Sequence, residues 1–237
     1  MRRSWLFLLL AAVPAAADGS GDAVAIAALR DYYRTLGRPN AQPSIESVRD
    51  RLVPVMQNLS PRVGKSARNV IRRGFDKKYK NSFSYLRCLC EILAAGGQPG
   101  ISILYKQYRK ERKNAPLCRA MAEVLGACGD ERALDPLLKI MYDTRASVAA
   151  AAVTGCASYA KIKQDKRKAA VKKMVERYTK VYDDAAGKEP ETVQAQMYQA
   201  LKPAMNATLR AFTGQELDSA AAWKAWLGEN LARSWDE

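Results

Sequence analysis

The clearest order in the chain is the return of apolar residues at every third or fourth position. From Leu117 to Met141 the sequence reads LCRAMAEVLGACGDERALDPLLKIM. Leu117, Ala120, Met121, Val124 and Leu125 fall on one face of a first helix, and Leu134, Leu137, Leu138 and Met141 form the stripe of a second. Gly126, Cys128 and Gly129 are small enough for a close turn between them, and Asp130 is placed to cap the second helix. The pattern recurs 32 to 33 residues upstream as Leu89, Ile92, Leu93, Gly96-Gly97, Ile101, Leu104, Tyr105 and Tyr108. It recurs 29 residues downstream, where Ala149, Ala151, Val153, Gly155 and Cys156 match Ala120, Ala122, Val124, Gly126 and Ala127. Val171, Met174, Val175, Tyr178 and Tyr182 then form the stripe of the helix that follows. Three offset copies at this spacing predict helical hairpins that bury their apolar faces only against their neighbours.

The flanks are helical too. Asp22 is placed to cap a helix over 23–36, which Gly37 closes. After a loop with Pro39 and Pro43, a proline-interrupted helix covers 45–59, and Ser60-Pro61 opens another to about Lys78. Near the other end Trp223 and Trp226 are three apart, so they share a helix face with Leu227. That face can seal the end of a stack or present an aromatic platform, and a stack needs a capping unit. No run alternates as a half-buried strand would. The expected fold is all-α, a short α-solenoid of helical hairpins with N- and C-terminal capping helices.

The first residues read as an export signal. Arg2 and Arg3 precede an unbroken apolar run from Leu6 to Val13, too short for a bilayer that takes about 20 residues. Pro14 ends the run, and Ala15-Ala16-Ala17 supplies the small residues of a cleavage site before Asp18. Arg2-Arg3 also fits a twin-arginine signal, and no cysteine follows to carry a lipid. No later segment holds 18 continuous apolar residues, so no transmembrane segment is expected in the mature chain. The organisation is then a signal over 1–17, N-terminal helices over 18–80, repeats over 81–184 and a helical cap over 185–237. The mature chain is expected to be exported, periplasmic or extracellular.

Two stretches resemble known sequences. Ala120 to Leu138, AMAEVLGACGDERALDPLL, is similar to a HEAT repeat of the bilin-lyase-like kind: an Ala-rich helix, a Leu-Gly-x-x-Gly-Asp turn, then Ala-Leu-x-Pro-Leu-Leu. The likeness is partial over 86–108 and weak over 146–182. Leu209 to Trp226, LRAFTGQELDSAAAWKAW, resembles a tail on exported HEAT-type proteins of planctomycete-like bacteria, with a Thr-Gly turn before Trp-x-x-Trp. The resemblance implies a scaffold and carries over no catalytic residue.

Chemistry is sparse. Not one of the 237 residues is histidine, which removes the commonest general base and the commonest metal ligand together. Five cysteines are an odd number for an exported chain, open to core packing, to one disulfide or to a redox pair at Cys88 and Cys90. Cys88 and Cys90 align with Ala120 and Ala122, positions that suit a small buried hydrophobe, and all five thiols are expected reduced. Cys88 and Cys118 are the pair best aligned to break that rule. No catalytic residue, metal site, cofactor or small-molecule substrate is expected.

The formal charge of +15 favours acidic partners. Basic residues gather over 62–80, with Arg72, Arg73, Lys77 and Lys78, over 109–113, with Arg109 and Arg112, and over 161–180, with Lys172 and Lys173. Such runs are solvated helix faces, or stacking aligns them into one groove. Two functions follow: a non-enzymatic scaffold that binds another protein in the cell envelope, or a binder of polyanions, whether nucleic acid or acidic envelope polymer. A lyase-type enzyme is a weaker third, because no nucleophile–base pair is visible.

Overall fold

The computed structural model describes residues 83–235, together with Arg72 and Phe75. The export signal, the expected helices before Lys78 and the basic residues Arg73, Lys77 and Lys78 lie outside the described residues. So does the side chain of Cys88. The chain divides into two units, 1–96 and 97–237.

In the first unit, α1 spans Phe83–Ala95. Its apolar positions at spacings of three and four, Leu86, Leu89, Cys90, Ile92 and Leu93, are all buried. Arg87 and Glu91 pair along the helix at 3.5 Å.

The second unit holds α2 (Gly97–Lys110), α3 (Ala115–Ala127), α4 (Leu134–Ile140), α5 (Ala146–Cys156), α6 (Gln164–Ala185), α7 (Val193–Thr213) and α8 (Ala220–Asn230). Short 3-10 turns at Glu131–Ala133 and Ala157–Tyr159 complete it. Among the described residues there is no strand, and the fold is all-α. No helix here is long and apolar enough to cross a membrane among the described residues.

The helix ends follow from local chemistry. Asn114 accepts from the Leu117 N–H at the start of α3, with Pro116 in the first turn, where a missing N–H costs nothing. Thr192 and Ser219 cap α7 and α8 in the same way. Gly214, at φ 74°, closes α7 in the left-handed conformation that a side chain resists. This is the Thr-Gly turn expected before the tryptophan helix.

Packing alternates. Successive odd helices lie against one another, α3 on α5 and α5 on α7. The even helices form the other row, with α4 against α6 and α6 against α8. Connections between the rows run from α2 to α3, from α3 and α5 to α4, and from α6 to α7. A buried hydrogen bond from Thr208 Oγ1 to the Val153 carbonyl, 3.0 Å, ties α7 to α5.

The expected stripes are largely where they were placed. Leu134, Leu137, Leu138 and Met141 are buried, as are Ile101, Leu104, Tyr108, Val171, Met174, Val175 and Tyr178. Each such aliphatic contributes about 1.5–3 kcal/mol by leaving water. Four positions differ. Tyr105 is only half-buried, with Lys139 over its ring. Tyr182 is 44% exposed and Val181 takes the inward place, because the stripe of a long helix drifts around its axis. Ala151 is half-buried at the rim of a groove, while Ala152 fills the contact. Gly126 is no turn residue: α3 runs on to Ala127, and the turn begins only at Cys128.

A candidate binding face on the even helices

The place where α3 and α5 come closest is set by Gly126 and Gly155. A β-carbon on Gly126 would stand 2.5 Å from the Gly155 Cα, closer than real β-carbons come to backbone. Above this contact lies an open groove of about 460 Å³, lined by Arg119, Glu123, Ser147, Ala151, Thr154 and Ser158 among others. Arg119 and Glu123 pair with each other across one helical turn, at 2.9 Å. The groove walls are small and self-satisfied.

Two polar ties join the ends of these helices. At the N-terminal end, the Arg145 guanidinium forks onto Asp143, Nε to Oδ1 at 2.8 Å and the outer nitrogen to Oδ2 at 2.6 Å. Its other nitrogen donates to the Arg112 carbonyl at 2.6 Å, and the Tyr108 hydroxyl donates to Asp143. Burial alone would raise the Asp143 carboxyl, but the hydrogen bonds from Arg145 and Tyr108 outweigh it and hold the group at about 2. The same turn occurs at Asp130 and Arg132, again with backbone N–H and guanidinium on one carboxylate, in a more exposed place. At the C-terminal end the tie is neutral: the Tyr159 hydroxyl donates to the Leu125 carbonyl, and Cys128 lies 3.4 Å from the same hydroxyl.

The thiols sit in packing or in these ties. Cys118 is buried and donates to the Glu111 carbonyl at 3.2 Å. Burial pushes the Cys118 thiol up and the Cys156 thiol up to about 12. Cys118, Cys128 and Cys156 form no disulfide. Among the described residues no three Cys, Asp or Glu gather in a way that could hold a metal ion.

The tryptophans close one end of the even row. Trp223 is fully buried under α8, edge-on to Trp226 at 6.0 Å, and Trp226 meets Trp235 at 5.3 Å. Trp223 Nε1 donates to Asn206 of α7, and Lys168 of α6 lies over the Trp235 ring while donating to the Arg233 carbonyl. These rings therefore spend their faces on each other and on α6.

The basic residues are distributed over several elements. Arg72 is exposed. Arg109 is exposed at the end of α2, and Arg112 follows in the connection. Lys172 and Lys173 are exposed on α6, in the same row as α2 but with α4 between. Two other cations stand out by what they touch. Lys139 of α4 lies over the Tyr105 ring of α2, 5.7 Å from its centre. Arg177 of α6 lies over the Tyr142 ring just after α4, at 5.3 Å. Each is a tyrosine on one even helix, or just past its end, covered by a cation from the next. Spacing along the chain gave no sign of these pairs, because they form only when the even helices line up.

No family model matches the chain, no curated protein matches it and no solved structure matches it, so the HEAT-type likeness rests on the residues quoted for it alone.

Proposed function

We propose that this protein is a non-enzymatic scaffold, a short HEAT-type solenoid that binds another protein through its exposed helix faces. One observation carries the reading: the residues that match at an offset of 29, Gly126 and Gly155, meet across α3 and α5. A contact between two positions that the sequence repeat pairs is what stacked hairpins would produce, and such stacks present long surfaces. Read as an export signal, residues 1–17 would put the work in the envelope, with a mature start near Asp18, which N-terminal sequencing of native material reads directly.

Photo-cross-linking in the native cell tests the scaffold. A benzophenone side chain at Ser158 or Thr154 on the odd row, and at Lys173 or Lys106 on the even row, should give protein adducts on one row only. Adducts on neither row would overturn the reading. The second reading, a polyanion binder, is favoured by the exposed Lys161, Lys163, Lys172, Lys173 and Lys180 on and beside α6. It predicts retention on heparin that falls steeply with salt, lost on charge reversal at Arg72, Arg73, Lys172 and Lys173. Partners that stay bound at high salt and survive those reversals favour the scaffold.

A further inference from the structure

Two cations of the even row lie over tyrosine rings of the neighbouring element. Several guanidiniums elsewhere have carboxylates: Arg119 with Glu123, Arg132 with Asp130, Arg145 with Asp143, Arg210 with Glu216. Lys139 and Arg177 instead rest on tyrosine rings. The Arg177 Nε is enclosed and has no hydrogen-bond acceptor. Burial pulls the Arg177 guanidinium down by more than the nearby Asp184 charge restores, so it is partly desolvated. Beneath it Tyr142 is 47% exposed, a large ring left open beside a cation in want of an acceptor.

From this juxtaposition we infer that Tyr105–Lys139 and Tyr142–Arg177 form a docking surface for an acidic peptide segment of a partner protein, whose carboxylates meet the cations and whose apolar side chains cover the rings. The inference rests on the scaffold reading and names its surface and partner chemistry. Charge complementarity selects a peptide over a nucleic acid. Glu176 is felt by Tyr142, and Asp184 by Arg177, so the surface is of mixed sign. An evenly dense phosphate chain would be repelled by those carboxylates, whereas spaced Glu or Asp side chains avoid them. A ring already carrying its cation also offers a flat, ordered anchor that gives up little freedom on binding.

The test titrates the full chain with a labelled peptide alternating Glu and Phe, its Gln–Phe counterpart, and single-stranded oligothymidylate of equal charge. The Glu–Phe peptide should bind roughly tenfold tighter than the Gln–Phe peptide. Lys139→Ala with Arg177→Ala should remove most of that difference, while Lys161→Ala with Lys224→Ala leaves it. Arg177→Lys keeps the charge and the fold and should weaken the peptide several-fold, since an ammonium cannot fork onto a carboxylate. Equal loss in the control variant, tighter binding of oligothymidylate, or no binding of the Glu–Phe peptide would each overturn the assignment. Protein adducts confined to the odd row in the cross-linking experiment would sink this surface and leave the scaffold standing, whereas adducts nowhere would sink the scaffold itself.

Discussion

Gly126 and Gly155 face each other so closely that a methyl group on the first would meet the backbone of the second at 2.5 Å. In an open helix alanine outscores glycine by roughly 1 kcal/mol. Here overlap with backbone, which cannot swing aside, outweighs that gain. Gly126→Ala should therefore destabilise by about 1–3 kcal/mol. Gly155→Ala should cost less, its nearest contacts being 3.1 Å to the Gly126 Cα and 3.2 Å to a Leu137 methyl. Gly228 in α8 has nothing within 4 Å, so Gly228→Ala should stabilise by about 0.5–1 kcal/mol. Urea melts of the three variants read all three signs.

Alanine positions divide in the same way. Ala122 is fully buried on α3 and Ala149 on α5, so leucine at either should cost about 1–3 kcal/mol. Ala151 opens onto the groove, and Ala151→Leu should stay within about 0.5 kcal/mol. Equal costs at Ala122 and Ala151 would contradict the packing described.

The Asp143 tie gives a pH dependence. Its folded carboxyl is held at about 2, below the ordinary carboxylate value, so its stabilisation is whole above about pH 4 and lost as pH falls through 2. Asp143→Asn should destabilise at neutral pH by about 1–3 kcal/mol, and the gap to the native chain should close toward pH 2. Arg145→Met should cost about 3 kcal/mol at neutral pH, because it strands a buried carboxylate. A gap that stayed constant between pH 7 and 2 would show the tie to be of no consequence.

Thiol labelling ranks three cysteines. Cys128 is half-buried and should react first in the native state. Cys118 and Cys156, fully buried and with raised thiols, should label only as the chain unfolds. Mass spectrometry of peptides labelled over time decides the order. Native labelling of Cys156 ahead of Cys128 would contradict it.

How much of this was legible in the sequence depends on the range of the interaction. Most of the stripes of α2 to α4 and of α6 and the turn at Gly214 come from residues a few positions apart, and periodicity and capping find those; Asp130 caps the 3-10 turn Glu131–Ala133 and not α4 itself, whose N-cap is Ala133. Gly126 reads as a turn residue in the sequence because a small residue at a helix end and a small residue between two helices look alike in one dimension. Only the match to Gly155 at an offset of 29 distinguishes them. The Asp143–Arg145 tie had a signal too, the Asp-x-Arg spacing shared with Asp130 and Arg132. Nothing local separates its buried copy from its exposed one. The Tyr105–Lys139 and Tyr142–Arg177 pairs had no signal, since each spans about 35 residues and depends on how far one even helix slides along the next.

The two ties between α3 and α5 differ in chemistry, and this makes the pair mechanically lopsided. Near the start of the helices the clasp is a bond from Arg145 to the Arg112 carbonyl, with Arg145 held in place by the Asp143 carboxylate and so sensitive to strong acid; near their end it is a tyrosine hydroxyl on a carbonyl, indifferent to pH until far into alkali. Strong acid, near pH 2, should thus loosen one end while the other stays pinned, so that the helices open like a pair of shears about the Gly126–Gly155 pivot. Amides in the first turns of α3 and α5 would then exchange early in acid, with those around Leu125 and Val153 lagging behind.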